Sequence, residues 1–176
     1  MKMEKNVSLV RDKGEKMKKI NISNLDEKTL EKYNLISEIK TEARFREIMN
    51  AVAVLSKECF NANFSAGWHN NLETGEYISF EDSFYEKLGL SHSELSEALE
   101  HFRKGNRPDD KLQWHSGVRV ELCDALIRIF GMLGQMDNDN QEIGLSADAF
   151  AEKMVFNSIR EDHKIESRKA EGGKKA

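Results

Sequence analysis

Apolar residues recur every three or four positions along most of this chain, the repeat of helices with one buried stripe. Leu30, Tyr33, Ile36 and Ile39 mark a short helix over 29–40, and Phe45, Ile48, Met49, Val52, Leu55, Cys59 and Phe60 mark a long one over 41–64. A turn region follows at 70–77 (NNLETGEY), with a short extended piece near Tyr77–Phe80. The next helix starts near Ser79 or Glu81 and runs to about Lys104, with Leu88, Leu95, Ala98, Leu99 and Phe102 as its core stripe. Lys87, Glu94, Glu97 and His101 fall on or beside a different, polar face. After a connector at 105–116, a helix from Gly117 to about Met136 packs through Val118, Leu122, Ala125, Leu126, Ile129 and Leu133. Glu121, Asp124 and Arg128 lie on its other side. A loop at 137–146 leads, with Ser146 as N-cap, into a last helix at 147–161 that turns Ala147, Phe150, Met154 and Ile159 inward. Residues 1–28 are polar, Lys-rich and without a period, which reads as a loose arm, and the tail after 162 reads as frayed.

With no other β pattern, the reading is all-α: an antiparallel four-helix bundle, completed by oligomer packing. At 176 residues one domain is the default, and a single proline, Pro108, leaves long helices uninterrupted. Cys59 and Cys123 both fall in helical patterns, and read as buried thiols of a reducing, cytoplasmic compartment. No apolar run reaches membrane-spanning length, and the basic N-terminus lacks the apolar segment of a signal peptide. Charge is uneven: residues 1–20 carry seven Lys/Arg against three acids, whereas 21–160 carry 15 against 24. An acidic middle is a poor polyanion platform, so nucleic acid is not expected as the main partner, nor is a membrane.

The candidate chemistry lies in two carboxylate pairs, Glu94/Glu97 and Glu121/Asp124. Spacing of i,i+3 puts both members of a pair on one helix face, about 60° apart. Two such helices packed together point four carboxylates into one cleft, where they repel unless a hard cation lies between them. Mg²⁺, or Mn²⁺, takes oxygen ligands and prefers sites shared with phosphates. A di-iron centre would want Glu-x-x-His pairs, and the chain has none. In EKMVFNSIR, Lys153, Asn157 and Arg160 share a helix face and are suited to phosphate oxygens; Lys87, seven residues before Glu94, is suited likewise. A solvated face, or a charge at a helix end, is the plain alternative for each of these side chains.

With its pairs read as Glu94-Leu-Ser-Glu97, 23 intervening residues, Glu121-Leu-Cys-Asp124 and then Lys153 and Asn157, the chain resembles the MazG-like, all-α nucleoside triphosphate pyrophosphohydrolases over about 43–162. The resemblance implies Mg²⁺-dependent cleavage between the α and β phosphates of an NTP or dNTP, giving monophosphate and pyrophosphate. It implies Glu94, Glu97, Glu121 and Asp124 as metal ligands, and Lys153 and Asn157 as the phosphate-contacting pair. Glu97 is the carboxylate expected to orient or deprotonate the attacking water. Many family members carry an extra Glu just before the first pair, where this chain has Ser93. A homodimer or homotetramer is implied, because the family's helical hairpins pack across subunits. The organisation expected is a polar basic extension at 1–40, partly disordered, a catalytic helical domain at 41–162 and a flexible tail at 163–176.

Base recognition is less legible. Trp68 is the candidate to stack on a base, with Trp114 second and Asn61, Asn63 and Asn70 as edge readers; a plug or a subunit contact is the equal alternative for either tryptophan. Three rival readings stand beside the main one. They are another metal-dependent phosphohydrolase releasing orthophosphate, a non-catalytic regulatory or antitoxin-like helical module, and a basic-arm nucleic-acid binder.

Overall fold

The computed structural model describes residues 6–10, 18–21, 25–141 and 144–172. These fall into two compact units, one of residues 43–153 and one of 1–42 with 154–176. The packed core of the first unit is built from helices alone: α2 (Ala43–Ser65), α3 (Phe80–Arg103) and α4 (Gly117–Asp139), with α4 lying against both others. The first half of α5 (Leu145–Ile159) belongs to this unit as well. Among the described residues no helix is long and apolar enough to cross a membrane.

Local signals fix the ends of these helices. Ser79 caps α3 by accepting the Asp82 N–H at 3.2 Å. Between α2 and α3, Asn71 Oδ1 accepts the N–H groups of Glu73 and Thr74, and Gly75 takes φ +74 to close the turn. Ser146 is not the N-cap that its position suggests. α5 starts one residue earlier, and Asp137, near the end of α4, accepts the N–H groups of Gly144 and Ser146 and the Ser146 hydroxyl.

The structure turns the large apolar side chains of the expected inner faces of α3 and α4 outward. Leu88, Leu95, Leu99 and Phe102 are exposed on α3, and Leu122, Leu126 and Ile129 on α4, although the periodic pattern assigns them to the core. Ala98 and Ala125 of the expected stripes are buried, and beside them Ser83, Ser91 and Glu94 of α3, and Gly117, Glu121, Gly131, Met132, Gly134 and Gln135 of α4, are buried as well. The reason is steric. A Cβ on Gly134 would run into the Ser56 carbonyl oxygen and Phe60 of α2, and one on Gly131 into the Asn63 amide. One on Gly117 would overlap the His101 ring of α3. Backbones this close leave room for small or hydrogen-bonded side chains between them, and the large aliphatic ones are turned outward. In α5, Ala147 is buried as expected, together with Ala151 and Val155, while Phe150 and Met154 are exposed. Cys123 is exposed rather than buried, whereas Cys59 is partly covered and burial pushes its thiol pKa up.

In the other unit, residues 1–28 hold more than the sequence suggests: β1 (Asn6–Val10) and β2 (Lys18–Asn21) pair antiparallel with an irregular register. α1 (Glu27–Ile39), capped by Asp26, lies near the end of α5, with Lys32 Nζ 4.1 Å from the Phe156 ring centroid. A short 3₁₀ turn (Glu161–His163) and α6 (Ile165–Lys169) follow.

Candidate functional site

The inward seams of α3 and α4 carry the site. On α3, Lys87, Ser91, Glu94, Ala98 and His101 follow one another at alternating steps of four and three, the repeat that keeps residues on one side of a helix. On α4, Gly117, Glu121, Asp124, Arg128, Gly131 and Gln135 do the same. Antiparallel packing brings the middle of each seam against the other. Carboxylate oxygens of Glu94, Glu97 and Glu121 lie within 4.8 Å of one another. Glu94 and Glu121 are buried, and Glu97 is exposed and receives the Ser93 hydroxyl at 3.2 Å.

Such crowding of like charge is unfavourable without a cation. Arg128 supplies part of the balance, with Nε and Nη2 each 2.6 Å from Glu94 Oε1. His101 Nε2 stands 3.5 Å from Glu121. Glu121 is pushed above its ordinary pKa by burial first, and then by the charges of Glu97, Glu94 and Asp124. Asp124 is also raised, by burial and Glu94, with Arg128 and Lys111 pulling the other way. An all-oxygen donor set with excess negative charge fits a hard divalent ion. A second grouping, His101, Asp109 and Glu121, has its donor atoms within the same 4.8 Å. The chain therefore carries clusters able to hold a divalent metal.

A cleft of about 860 Å³ adjoins the carboxylates. Asp124 and Arg128 line the part shared with the acidic seam, and Lys87, Asn63, Asn70 and Trp68 line other parts. Trp68 is 69% exposed. His69 and Lys87 of the cleft lining belong to a partly buried polar network. Lys87 Nζ donates to His69 Nδ1 at 2.8 Å and to Gln135 Oε1 at 2.5 Å. The Gln135 amide donates to the Ile78 carbonyl at 2.9 Å, and the Tyr77 hydroxyl donates to Asp139 Oδ1 at 2.6 Å. His69 is packed against the Phe60 ring, with centroids 4.8 Å apart. Burial and the neighbouring Lys87 charge bring its pKa down to about 4, so the imidazole is neutral near pH 7. Burial and the Asp139 bond push Tyr77 up to about 12.

The other expected residues are divided between the two units. Lys153 is exposed and ends the first unit, while Asn157 and Arg160 belong to the second. Asn157 Oδ1 is buried without a hydrogen-bond partner, and Arg160 pairs with Asp162. Trp114 is exposed on the connector, and His92 is exposed on α3. The residues not anticipated as parts of a site are His69, Tyr77, Gln135 and Asp109. For Gln135 the signal was present, because it continues the seam that holds Glu121; Asp109 lies in a loop and had none. Compared with protein-family models, with curated proteins and with solved structures, the chain matches none.

Proposed function

We propose that this chain hydrolyses nucleoside triphosphates, NTP or dNTP, between the α and β phosphates, releasing a nucleoside monophosphate and pyrophosphate. The observation that carries the reading is the meeting of Glu94, Glu97 and Glu121 beside a cleft of nucleoside size whose lining continues through Asp124. The resemblance to the MazG-like pyrophosphohydrolases, and a bundle of that family's kind, belong to the same proposal. A divalent ion, Mg²⁺ or Mn²⁺, held there would supply positive charge to the triphosphate oxygens and offset charge built up in the transition state. Glu94, Glu97, Glu121 and Asp124 would hold it. Glu97, exposed and oriented by Ser93, positions the attacking water and takes its proton. Trp68 offers a stacking face to the base, and Asn63 and Asn70 offer amide groups to its edge. Lys153 and Asn157 keep the phosphate-contacting role that the resemblance implies, with Arg160 and Lys87 as further contacts. For Lys87 the supporting role is narrower, since His69 and Gln135 engage its ammonium group.

The exposed leucines of α3 and α4 support a homodimer or homotetramer, because contiguous apolar stripes of this kind mark association surfaces. The deciding experiment incubates the chain with a panel of NTPs and dNTPs and Mg²⁺, and quantifies pyrophosphate and orthophosphate separately. Pyrophosphate with monophosphate is the expected product. Orthophosphate would assign a different phosphohydrolase. No turnover by folded, metal-supplied protein would favour a regulatory module.

A further inference from the structure

The connector between α3 and α4 is a fastened clip. Its start turns through Gly105 at φ +90 and Asn106 at φ +50. Gly117 N–H donates to the Arg107 carbonyl at 2.9 Å, Asp109 N–H to the His115 carbonyl at 2.9 Å, and Val118 N–H to Asn106 Oδ1 at 3.3 Å. The clip delivers Asp109, 5% exposed, to the seam between the helices. Both hydrogen bonds to its carboxylate, from the N–H groups of Lys111 and Leu112, fall on Oδ1, which leaves Oδ2 as the open donor. Glu121, 8% exposed, faces the same point from α4, and the His101 imidazole stands 3.5 Å from it. That distance is too long for a strong hydrogen bond. The Leu112 and Lys111 N–H groups and the Lys111 charge hold Asp109 ionised, below its ordinary pKa, whereas Glu121 is crowded by like charge, an arrangement that more positive charge at this point would relieve. The imidazole itself is seated over Gly117, where any side chain would displace it. Its own side chain is about one-third exposed, which gives an entry path from solvent.

We propose that His101, Asp109 and Glu121 form a second metal site, distinct in chemistry from the all-carboxylate site and joined to it through Glu121. An imidazole nitrogen with two carboxylate oxygens selects a first-row transition dication such as Mn²⁺ over Mg²⁺, which prefers oxygen alone. Three protein donors leave the remaining coordination positions to water or another ligand. Asp109 is held by the backbone of the clip, so the site closes with no movement of the helices. Binding here requires neither a triphosphate nor turnover, so it stands or falls apart from the proposed activity.

The test is a Mn²⁺ titration of the full chain in excess Mg²⁺, followed by electron paramagnetic resonance. One Mn²⁺ per chain is expected to resist Mg²⁺ competition. His101→Gln and Asp109→Asn should each weaken its affinity by about 10-fold or more, while His92→Gln, at an exposed position of α3 outside both clusters, should retain it. Equal Mn²⁺ affinity and stoichiometry in His101→Gln and the unmodified chain would overturn the proposal. Should a variant fail to fold, the unmodified chain still decides. Sub-stoichiometric Mn²⁺ should broaden the His101 imidazole resonances ahead of those of exposed His92, and uniform broadening or none would overturn the site.

Discussion

Glu97 is the residue on which the proposed chemistry is most exposed to test. Glu97→Gln keeps the volume and removes the base, so pyrophosphate release should fall by about 10²-fold or more. Near-normal turnover with saturating Mg²⁺ would remove Glu97 from that role. Arg128 carries a structural duty next to it, because its guanidinium balances the buried Glu94. Arg128→Met should destabilise the metal-free chain by about 3 kcal/mol, the low end for a broken buried pair, since Arg128 is 37% exposed. Denaturant unfolding measures this, and added Mg²⁺ should recover part of the loss. His69 gives a pH signature. Its folded pKa of about 4 lies below the ordinary 6.5, so between those values the unfolded chain binds the extra proton. Stability therefore falls as pH drops through that window, by roughly 3 kcal/mol in total. Glu121 and Asp124, held above their ordinary range, act in the opposite sense and favour the folded state as they protonate. The difference between the unmodified chain and His69→Gln isolates the histidine; equal slopes over pH 6.5 to 4 would contradict its buried, neutral state.

Among the elements, α4 meets the backbone of α2 closely at Gly134, where an added Cβ would lie 2.2 Å from the Ser56 carbonyl oxygen. Gly134→Ala should drive the helices apart and cost about 1–3 kcal/mol, the scale of overpacking. This would appear as a lower denaturant midpoint, with the Asn63 side of the cleft loosened. An unchanged midpoint would contradict so close a contact between α4 and α2. The helices and most of their ends were legible in the sequence, because α-helical periodicity and caps such as Ser79 are local. Which face turns inward was not. The leucines of α3 and α4 form a good stripe on paper, yet a second stripe with the same repeat, written in Glu, Ser, Ala and Gly, is the one that is packed. Periodicity identifies stripes, and the neighbour chooses between them.

For the whole molecule, the outward leucines set the expectation of association. Analytical ultracentrifugation should give a dimer or tetramer mass. Leu126→Glu, placed on the exposed stripe of α4 and away from the carboxylates, should shift the mass to the monomer while helix content by circular dichroism holds. A monomer in the unmodified chain would mean that this surface serves another purpose. Deletion of residues 1–28 separates the enzyme reading from a basic-arm binder, because turnover should survive it.

By itself the sequence determined the helical class, the positions of the long helices and the two carboxylate pairs, since each of these follows from spacing along one chain. The convergence of Glu94, Glu97 and Glu121 could be anticipated from i,i+3 geometry on two adjacent helices. Only the tertiary structure decided that Arg128 balances Glu94 and that Lys87 is engaged by His69 and Gln135. It also decided that Asp109 is carried to Glu121 by a loop. These contacts join residues far apart in the chain, and they depend on how closely two helix backbones approach. That distance is set by Gly117, Gly131 and Gly134, whose packing role has no periodic signature until a partner helix is present.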